Sequence, residues 1–290
     1  MILSKGIRSK IEEKLGGIEK VEVVSGGNIN RAVKIVVGDR QLFVKFNERV
    51  LPGMMVAEKA GLELLARAGE VRVPKPVLVG EQFLMMEWLD FAESSKYQVV
   101  SERKLGKQLA RLHRRISGVC GLEQDNYIGL LPQNNDLTES WVEFYWESRI
   151  FPQIEIMRKK VVSDESRVAT LEDKLYKLKD KLSELIPSKV EASLLHGDLW
   201  GGNWGVLESG EPVVYDPAVY VGHREMDLAM TELFGGFGRE FYEVYDGEWK
   251  RDAGYGERRE LYQLYPLMVH MNLFGGSYFG RVEAIVEGYL

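Results

Sequence analysis

The sequence predicts an α+β fold in two lobes, with a small antiparallel sheet and one helix over residues 1–89 and a mostly helical lobe over residues 90–290. Three observations predict it. Up to Leu89 the chain reads as short β-branched runs broken by turns, whereas beyond Asp90 the apolar residues recur at helical spacing. The composition, 45% hydrophobic and 28% charged over 290 residues, supplies one large core or two modest ones. With 38 basic against 44 acidic residues the formal net charge is −6, which speaks against a nucleic-acid partner. One cysteine, Cys120, and four scattered histidines exclude an internal disulfide and a structural zinc site of the usual spacing, so a reducing, cytoplasmic compartment is expected. Met1–Lys14 lacks the continuous apolar stretch of a signal peptide. No apolar run approaches the roughly 18 residues of a membrane span, so no membrane partner is expected.

Taken in order, Val21–Val24, Ala32–Val37 and Gln41–Phe46 are predicted strands. The Gly38-Asp39 pair joins the last two, because Gly-Asp between β-branched runs favours a hairpin. A helix over Met54–Ala68 follows, with Ala57, Gly61, Leu64, Leu65 and Ala68 at helical spacing and Gly69 as its C-cap. Val77–Val79 and Phe83–Trp88 complete the sheet. In the second lobe Ser101 is the expected N-cap of a helix carrying Leu105, Leu109, Leu112 and Ile116 before Gly118. A second helix carries Trp141, Phe144 and Tyr145. The third, Asp164–Leu185, spaces Leu171, Leu175, Leu178, Leu182 and Leu185 by alternating fours and threes and stops before Pro187. Two heptads are too few for a coiled coil, so this stripe is expected to face the core. Leu194–Leu199 and Val213–Asp216 read as short strands flanking a Gly-Gly-Asn turn, and aromatic-rich helices run from about Glu257 to Leu290.

The chemistry concentrates in Ser193–Trp204 and Val213–Pro217, where apolar strand residues lead twice into polar clusters. Asp198, in a loop after a strand, can accept a hydroxyl proton. Asn203, five residues on, and Asp216 offer hard oxygen ligands of the kind Mg²⁺ takes when it also binds phosphate, which points to phosphoryl transfer. The spacing His-x-Asp-x-x-x-x-Asn matches the catalytic loop of protein-kinase-like enzymes, and an Asp about 13 residues further on matches their metal-binding Asp. Taken alone this pattern fixes only three positions, but other parts fall in the same order. Gly26-Gly27-Asn28 lies between the first two strands, where it is either a tight turn or a loop whose backbone N–H groups cover phosphates. Lys45 lies in an apolar strand and Glu58 on the next helix, an arrangement that suits an ion pair contacting phosphates.

With these residues in view, the sequence resembles the fructosamine-3-kinase (ketosamine-3-kinase) family, relatives of aminoglycoside phosphotransferases within the protein-kinase-like fold. The resemblance spans nearly the whole chain. It is carried most specifically by His196–Asn203 (His-Gly-Asp-Leu-Trp-Gly-Gly-Asn) and by Gly222–Phe237, with Asn126–Gly129, Gln133-Asn134 and Leu273–Gly276 alongside. It implies ATP- and Mg²⁺-dependent phosphorylation of the sugar 3-hydroxyl of ketosamines, free or on glycated proteins, after which elimination frees the amine. Asp198 would then be the base, Asn203 and Asp216 the metal ligands, and Lys45 with Glu58 the phosphate-binding pair. Adenine would dock on the backbone of Glu87 and Leu89, because main-chain N–H and C=O groups read a purine edge whatever the side chains. Trp200, His223, Arg224 and Glu225 are candidates for the sugar pocket, since an aromatic face and bidentate polar groups suit a polyol. The Phe274-Gly275-Gly276 turn could border that pocket. His196 and Asp227 are expected to support the catalytic loop, and His113 and His270 to be structural. Many eukaryotic members carry a cysteine in the Gly-rich loop where this chain has Asn28, so no loop-thiol switch is expected. Two other readings stay open: a kinase for aminoglycoside- or choline-like alcohols, and a nucleotide-binding scaffold without turnover.

Overall fold

The computed structural model describes residues 3–24, 30–92, 97–160 and 165–290. The chain opens with a helix that the sequence reading did not assign, α1 (Lys5–Leu15), capped where the Ser4 hydroxyl accepts the Ile7 N–H at 3.3 Å. Strands β1 (Lys20–Val24), β2 (Arg31–Val37) and β3 (Arg40–Phe46) follow, then α2 (Met54–Ala68), β4 (Pro76–Gly80) and β5 (Phe83–Glu87). They form one antiparallel sheet in the order β1-β2-β3-β5-β4. The two-residue period of a strand divides its side chains cleanly. Leu42, Val44, Phe46, Phe83 and Met85 turn to one face and pack with Ile7 and Ile11 of α1. Phe43, Lys45 and Met86 turn to the other, which lines the cleft. Met85 is therefore core and Met86 is cleft lining.

The second lobe begins with α3 (Gln98–His113), which starts one turn earlier than the sequence suggests. Ser101 is inside this helix, not its cap, and its hydroxyl donates to Gly210 O at 2.9 Å. Ile116 does not extend the helical stripe either. It sits exposed in β6 (Ile116–Ser117), because the helix closes at Arg114. A short hairpin of β7 (Asn126–Ile128) and β8 (Leu131–Gln133) leads to α4 (Trp141–Phe144). A π-helical turn over Tyr145–Ile150 then joins α4 to α5 (Phe151–Lys160). Helix α6 (Glu165–Leu185) buries Leu171, Leu175, Leu178 and Leu182 in the main core, as a core-facing stripe requires.

Strands β9 (Ala192–Leu195), β10 (Trp204–Val206), β11 (Pro212–Val214) and β12 (Tyr220–His223) frame the site. The two strands expected here, Leu194–Leu199 and Val213–Asp216, are shorter and start earlier, and they do not pair with each other across the Gly-Gly-Asn turn. β9 pairs with β12 and β6, and β11 pairs with β10, so Asp198 and Asp216 each lie in a loop just past a strand end. Helices α7 (Glu225–Leu233), α8 (Arg239–Glu248), α9 (Tyr255–Phe274) and α10 (Phe279–Gly288) complete the lobe. No helix among the described residues is long and apolar enough to cross a membrane.

Candidate active site

A cavity of about 850 Å³ lies between the sheet and the helical lobe. Lys45 enters it from β3, whose neighbours β2 and β5 hold it in register opposite Ala32 and Leu84. Its ammonium contacts both carboxylate oxygens of Glu58 at 2.9 and 3.0 Å and Asp216 Oδ1 at 3.0 Å. Burial alone would discharge this lysine; the Asp216 and Glu58 carboxylates overcome it and hold the ammonium well above its ordinary pKa. Glu58 reaches Lys45 from the first turns of α2, so the position of that helix decides whether the pair exists.

Asp198 and Asn203 face this pair from the other lobe. The Asn203 amide donates to Asp198 Oδ2 at 3.0 Å and to Asp198 O at 2.8 Å. With its Nδ2 so engaged, Asn203 has Oδ1 left as a possible ligand, and Asp216 has Oδ2 beyond the oxygen held by Lys45. Two hard oxygens of this kind fit a magnesium ion that also binds phosphate. Burial pushes the Asp198 carboxyl well above the usual carboxylate range, and the negative charge of Asp216 adds to it. A carboxylate raised in this way is a stronger proton acceptor.

The loop is built from beneath. Asp227, on α7, accepts the His196 N–H at 2.7 Å and the Gly197 N–H at 2.9 Å. Burial works to raise its carboxyl, but the bonds from His113 and Gly197 outweigh it and keep the group below its ordinary value. His196 donates from Nε2 to Tyr215 O at 3.1 Å and accepts the Asp198 N–H at Nδ1. It thereby ties the Asp198 loop to the strand end before Asp216. Gly197 has φ +83°, and a Cβ there would collide with Ala218 O, so no other residue fits between the two loops.

Trp200 lines the far end of the cavity, its indole lying where a Cβ on Gly202 would be, which explains the Trp-Gly-Gly run. Around it the structure gathers a set of rings: Phe274 borders the cavity as its turn suggests, Phe234 and Tyr278 join it, and His270, expected to be structural only, also lines the cavity wall. Phe234 meets Trp200 edge-on at 5.9 Å and His270 at 4.7 Å, and His270 meets Phe274 at 5.5 Å and Tyr278 at 5.2 Å. His270 donates from Nδ1 to Pro266 O at 2.8 Å, leaving Nε2 as an acceptor, and burial lowers its pKa. The signal in the sequence was the four-residue step from His270 to Phe274, one helical face at the end of α9. At the opposite end Val24, Ala32, Phe43, Met86 and Leu89 form an apolar slot. The Glu87 N–H is taken by Lys75 O at 3.0 Å, and its carboxylate by Arg72 at 2.7 Å and the Lys75 N–H at 2.6 Å.

The structure removes three residues from the sugar pocket. His223, Arg224 and Glu225 are at most 2% exposed, and none lines the cavity. His223 Nδ1 meets the Tyr262 hydroxyl at 2.8 Å, Arg224 stacks on Trp249 at 4.1 Å and bonds Asp252 at 2.8 Å, and Glu225 forms a two-point pair with Arg258 at 2.7 and 2.9 Å. Their complementary charges come from the α8–α9 connection and α9, so they turn inward. Gly26, Gly27 and Asn28 lie outside the described residues. Cys120 is buried, its N–H donates to Thr138 O at 2.8 Å, and burial raises its thiol to about 11.

Fold and site together define a two-lobed, ATP-dependent kinase of the protein-kinase-like class, with an ion-paired lysine above a carboxylate loop in one cleft. More narrowly, the chain belongs to the fructosamine kinase family, whose model matches residues 4–290. It is 39% identical to a probable ketoamine kinase of Synechocystis sp., covering 93% of this chain and 90% of that protein. It is 37% identical to a chloroplastic protein-ribulosamine 3-kinase of Arabidopsis thaliana, covering 96% and 85%. A Thermobifida fusca structure assigned as a fructosamine-3-kinase superposes with TM-score 0.86 at 30% identity over 99% of each chain. Choline kinase and aminoglycoside phosphotransferase structures, at 18% identity or below and TM-scores of 0.65 and 0.63, share the fold alone.

Proposed function

We propose that the protein transfers the γ-phosphoryl group of MgATP to the 3-hydroxyl of ketosamines of the fructosamine or ribulosamine type. The observation that carries this reading is the convergence of Lys45, Glu58 and Asp216 with Asp198 and Asn203 on one cavity that ends in rings. Adenine occupies the slot of Val24, Ala32, Phe43 and Met86 and reads the backbone at Glu87 and Leu89. Lys45, held by Glu58, binds the phosphates. Asn203 and Asp216 would hold magnesium, which supplies positive charge against the phosphate oxygens. Asp198 orients the acceptor hydroxyl and takes its proton. Trp200 and the rings around His270 hold the sugar. Apart from Asp198, the ring-lined end carries no carboxylate among the described residues, which suits a ketosamine better than a polycationic aminoglycoside. Glycated proteins are within the substrate class, because the sugar is the part that the rings would hold.

The test is ATP consumption with Mg²⁺ on a ribulose-lysine, a fructose-lysine, an aminoglycoside and choline, with the Asp198→Asn variant as control. Turnover on a ketosamine, lost in the variant and leaving phosphate on the sugar 3-position, is the expected result. Turnover on the aminoglycoside or choline alone would move the protein to those alcohols; silence on all four despite ATP binding would make it a scaffold.

A further inference from the structure

The hairpin of β7 and β8 takes no part in the phosphate chemistry above, yet its inner side chains form a buried polar chain onto the backbone that follows Asp216. Asn126 Nδ2 donates to Val219 O at 2.6 Å. Gln133 Nε2 donates to Ala218 O at 3.1 Å and to Asn126 Oδ1 at 2.7 Å. Asn135 Nδ2 also donates to Asn126 Oδ1, at 3.0 Å, and the Tyr265 hydroxyl donates to Gln133 Oε1 at 2.8 Å. The chain is anchored by Arg149, fully buried in the π-helical turn, whose guanidinium donates to Asn135 Oδ1 at 2.9 Å and to Asn134 O at 2.5 Å. A buried side-chain network of this kind is costly to break and fixes one arrangement of its partners.

What it fixes is the piece of backbone least able to hold itself. Asp216 has φ +55°, among the described residues the one non-glycine in the left-handed region, which an Asp enters more readily than most residues but still at a cost its surroundings must offset. Directly after it, Ala218 is held at both ends: its N–H donates to His196 O at 2.9 Å, and its carbonyl accepts Gln133. The same stretch is the floor on which α2 rests. A Cβ on Gly61, one turn after Glu58, would press on Val219 Cγ2 at 3.2 Å, and the Tyr127 hydroxyl of the hairpin reaches Pro52 O, just before α2, at 2.6 Å.

We infer that Asn126 and Gln133 are positioning residues: the hairpin holds Asp216 in its left-handed conformation and seats the Glu58 helix, so that the cation and phosphate sites exist before nucleotide arrives. This rests on the reading of Asn203 and Asp216 as magnesium ligands.

The test is ATP affinity measured by titration calorimetry with and without Mg²⁺. Gln133→Met, close in volume but without donors, is expected to reduce the Mg²⁺-dependent gain in ATP affinity about tenfold, the size of one lost buried hydrogen bond, and to leave metal-free ATP affinity within about twofold. Tyr265→Phe cuts the same network without touching the Ala218 or Val219 carbonyls. It is expected to lower the melting midpoint comparably yet keep the full gain. Equal loss in both variants, or loss in neither, would overturn the inference and leave the network a structural one. Tyr127→Phe, at a half-buried position on the cavity wall, tests the α2 arm if Gln133→Met does not fold; because that arm carries Glu58 and so Lys45, an expected loss of about threefold in metal-free ATP affinity supports the inference, and an unchanged affinity refutes it. A parent protein without any Mg²⁺-dependent gain would refute the reading of the cation site itself, and this inference with it, before any variant is made.

Discussion

The two ends of the cleft are built on opposite principles. At the end proposed for the phosphates Lys45 lies within 3.0 Å of both Glu58 and Asp216, and its ammonium offsets two carboxylates that would otherwise repel each other. At the end proposed for the acceptor five rings, from the Trp200 loop, the end of α7, α9 and the turn that follows α9, meet at 4.7–5.9 Å, with His270 as the polar point among them. The first end depends on charge placed to hydrogen-bond tolerance, the second on shape and apolar contact. Damage should therefore be steep and electrostatic at one end, graded and substrate-specific at the other.

The largest effect expected is at Asp198, between the two. Asp198→Asn should lose about 10²–10⁴-fold in kcat, the range for one positioned acid–base group, with the KM for ATP little changed; near-normal turnover would remove it from the chemistry. Next comes Lys45→Met, which strands the Glu58 carboxylate in a buried site. A loss of about 3–5 kcal/mol in unfolding free energy is expected, partly restored by adding Glu58→Gln, because the cost lies in the unpaired charge. Denaturant titration of the single and double variants would measure it, and a double variant no better than the single would contradict the ion-pair account. At the other end Phe274→Ala should raise the ketosamine KM by up to about tenfold and leave the ATP KM alone, since one ring contact is worth about 0.5–1.5 kcal/mol. An equal rise in both KM values would erase the distinction between the ends.

The smallest effect is a pH dependence from buried histidines at both ends, with His196 of the Asp198 loop lowered by burial in the same sense as the two that follow. Burial lowers the pKa of His113, beneath the catalytic loop, and of His270, among the rings, so both are held neutral in the fold. Below their ordinary value of about 6.5 the unfolded chain binds protons that the folded chain does not, so stability falls as pH drops, by at most about 1.4 kcal/mol per unit for each group. Above about pH 7.5 neither contributes. The melting midpoint of a His270→Gln variant should fall less steeply than that of the parent between pH 7 and 5.5; parallel curves would mean that His270 is already charged in the fold.

The same contrast governs what the sequence disclosed. The phosphate end was legible because its residues stand out locally: Asp198 and Asn203 are five apart around a turn, and Lys45 is the lone charge in the apolar strand Gln41–Phe46. The sheet and α2 were legible for the same local reason. His223, Arg224 and Glu225 misled because a charged residue reads the same whether it meets substrate or a buried partner, and their partners Asp252 and Arg258 lie 28 and 33 residues further on. Asn126, Gln133 and the Phe274 turn stand in segments that carry the resemblance, but what they touch was opaque for a related reason, since Ala218 and Tyr265 lie 85 and 132 residues from Gln133. Ser101 and Ile116 failed on boundaries, where a hydroxyl or an apolar residue fits a helix end and its flanks equally well.

Cys120 carries a practical consequence. With its thiol buried and raised to about 11, Cys120 is expected to react only slowly with a maleimide at neutral pH. The native chain is thus slow to take up thiol dyes without further engineering. A single new cysteine at an exposed position such as Val56, on the outer face of the Glu58 helix, would carry a fluorophore alone and report directly on how that helix moves while the cleft turns over.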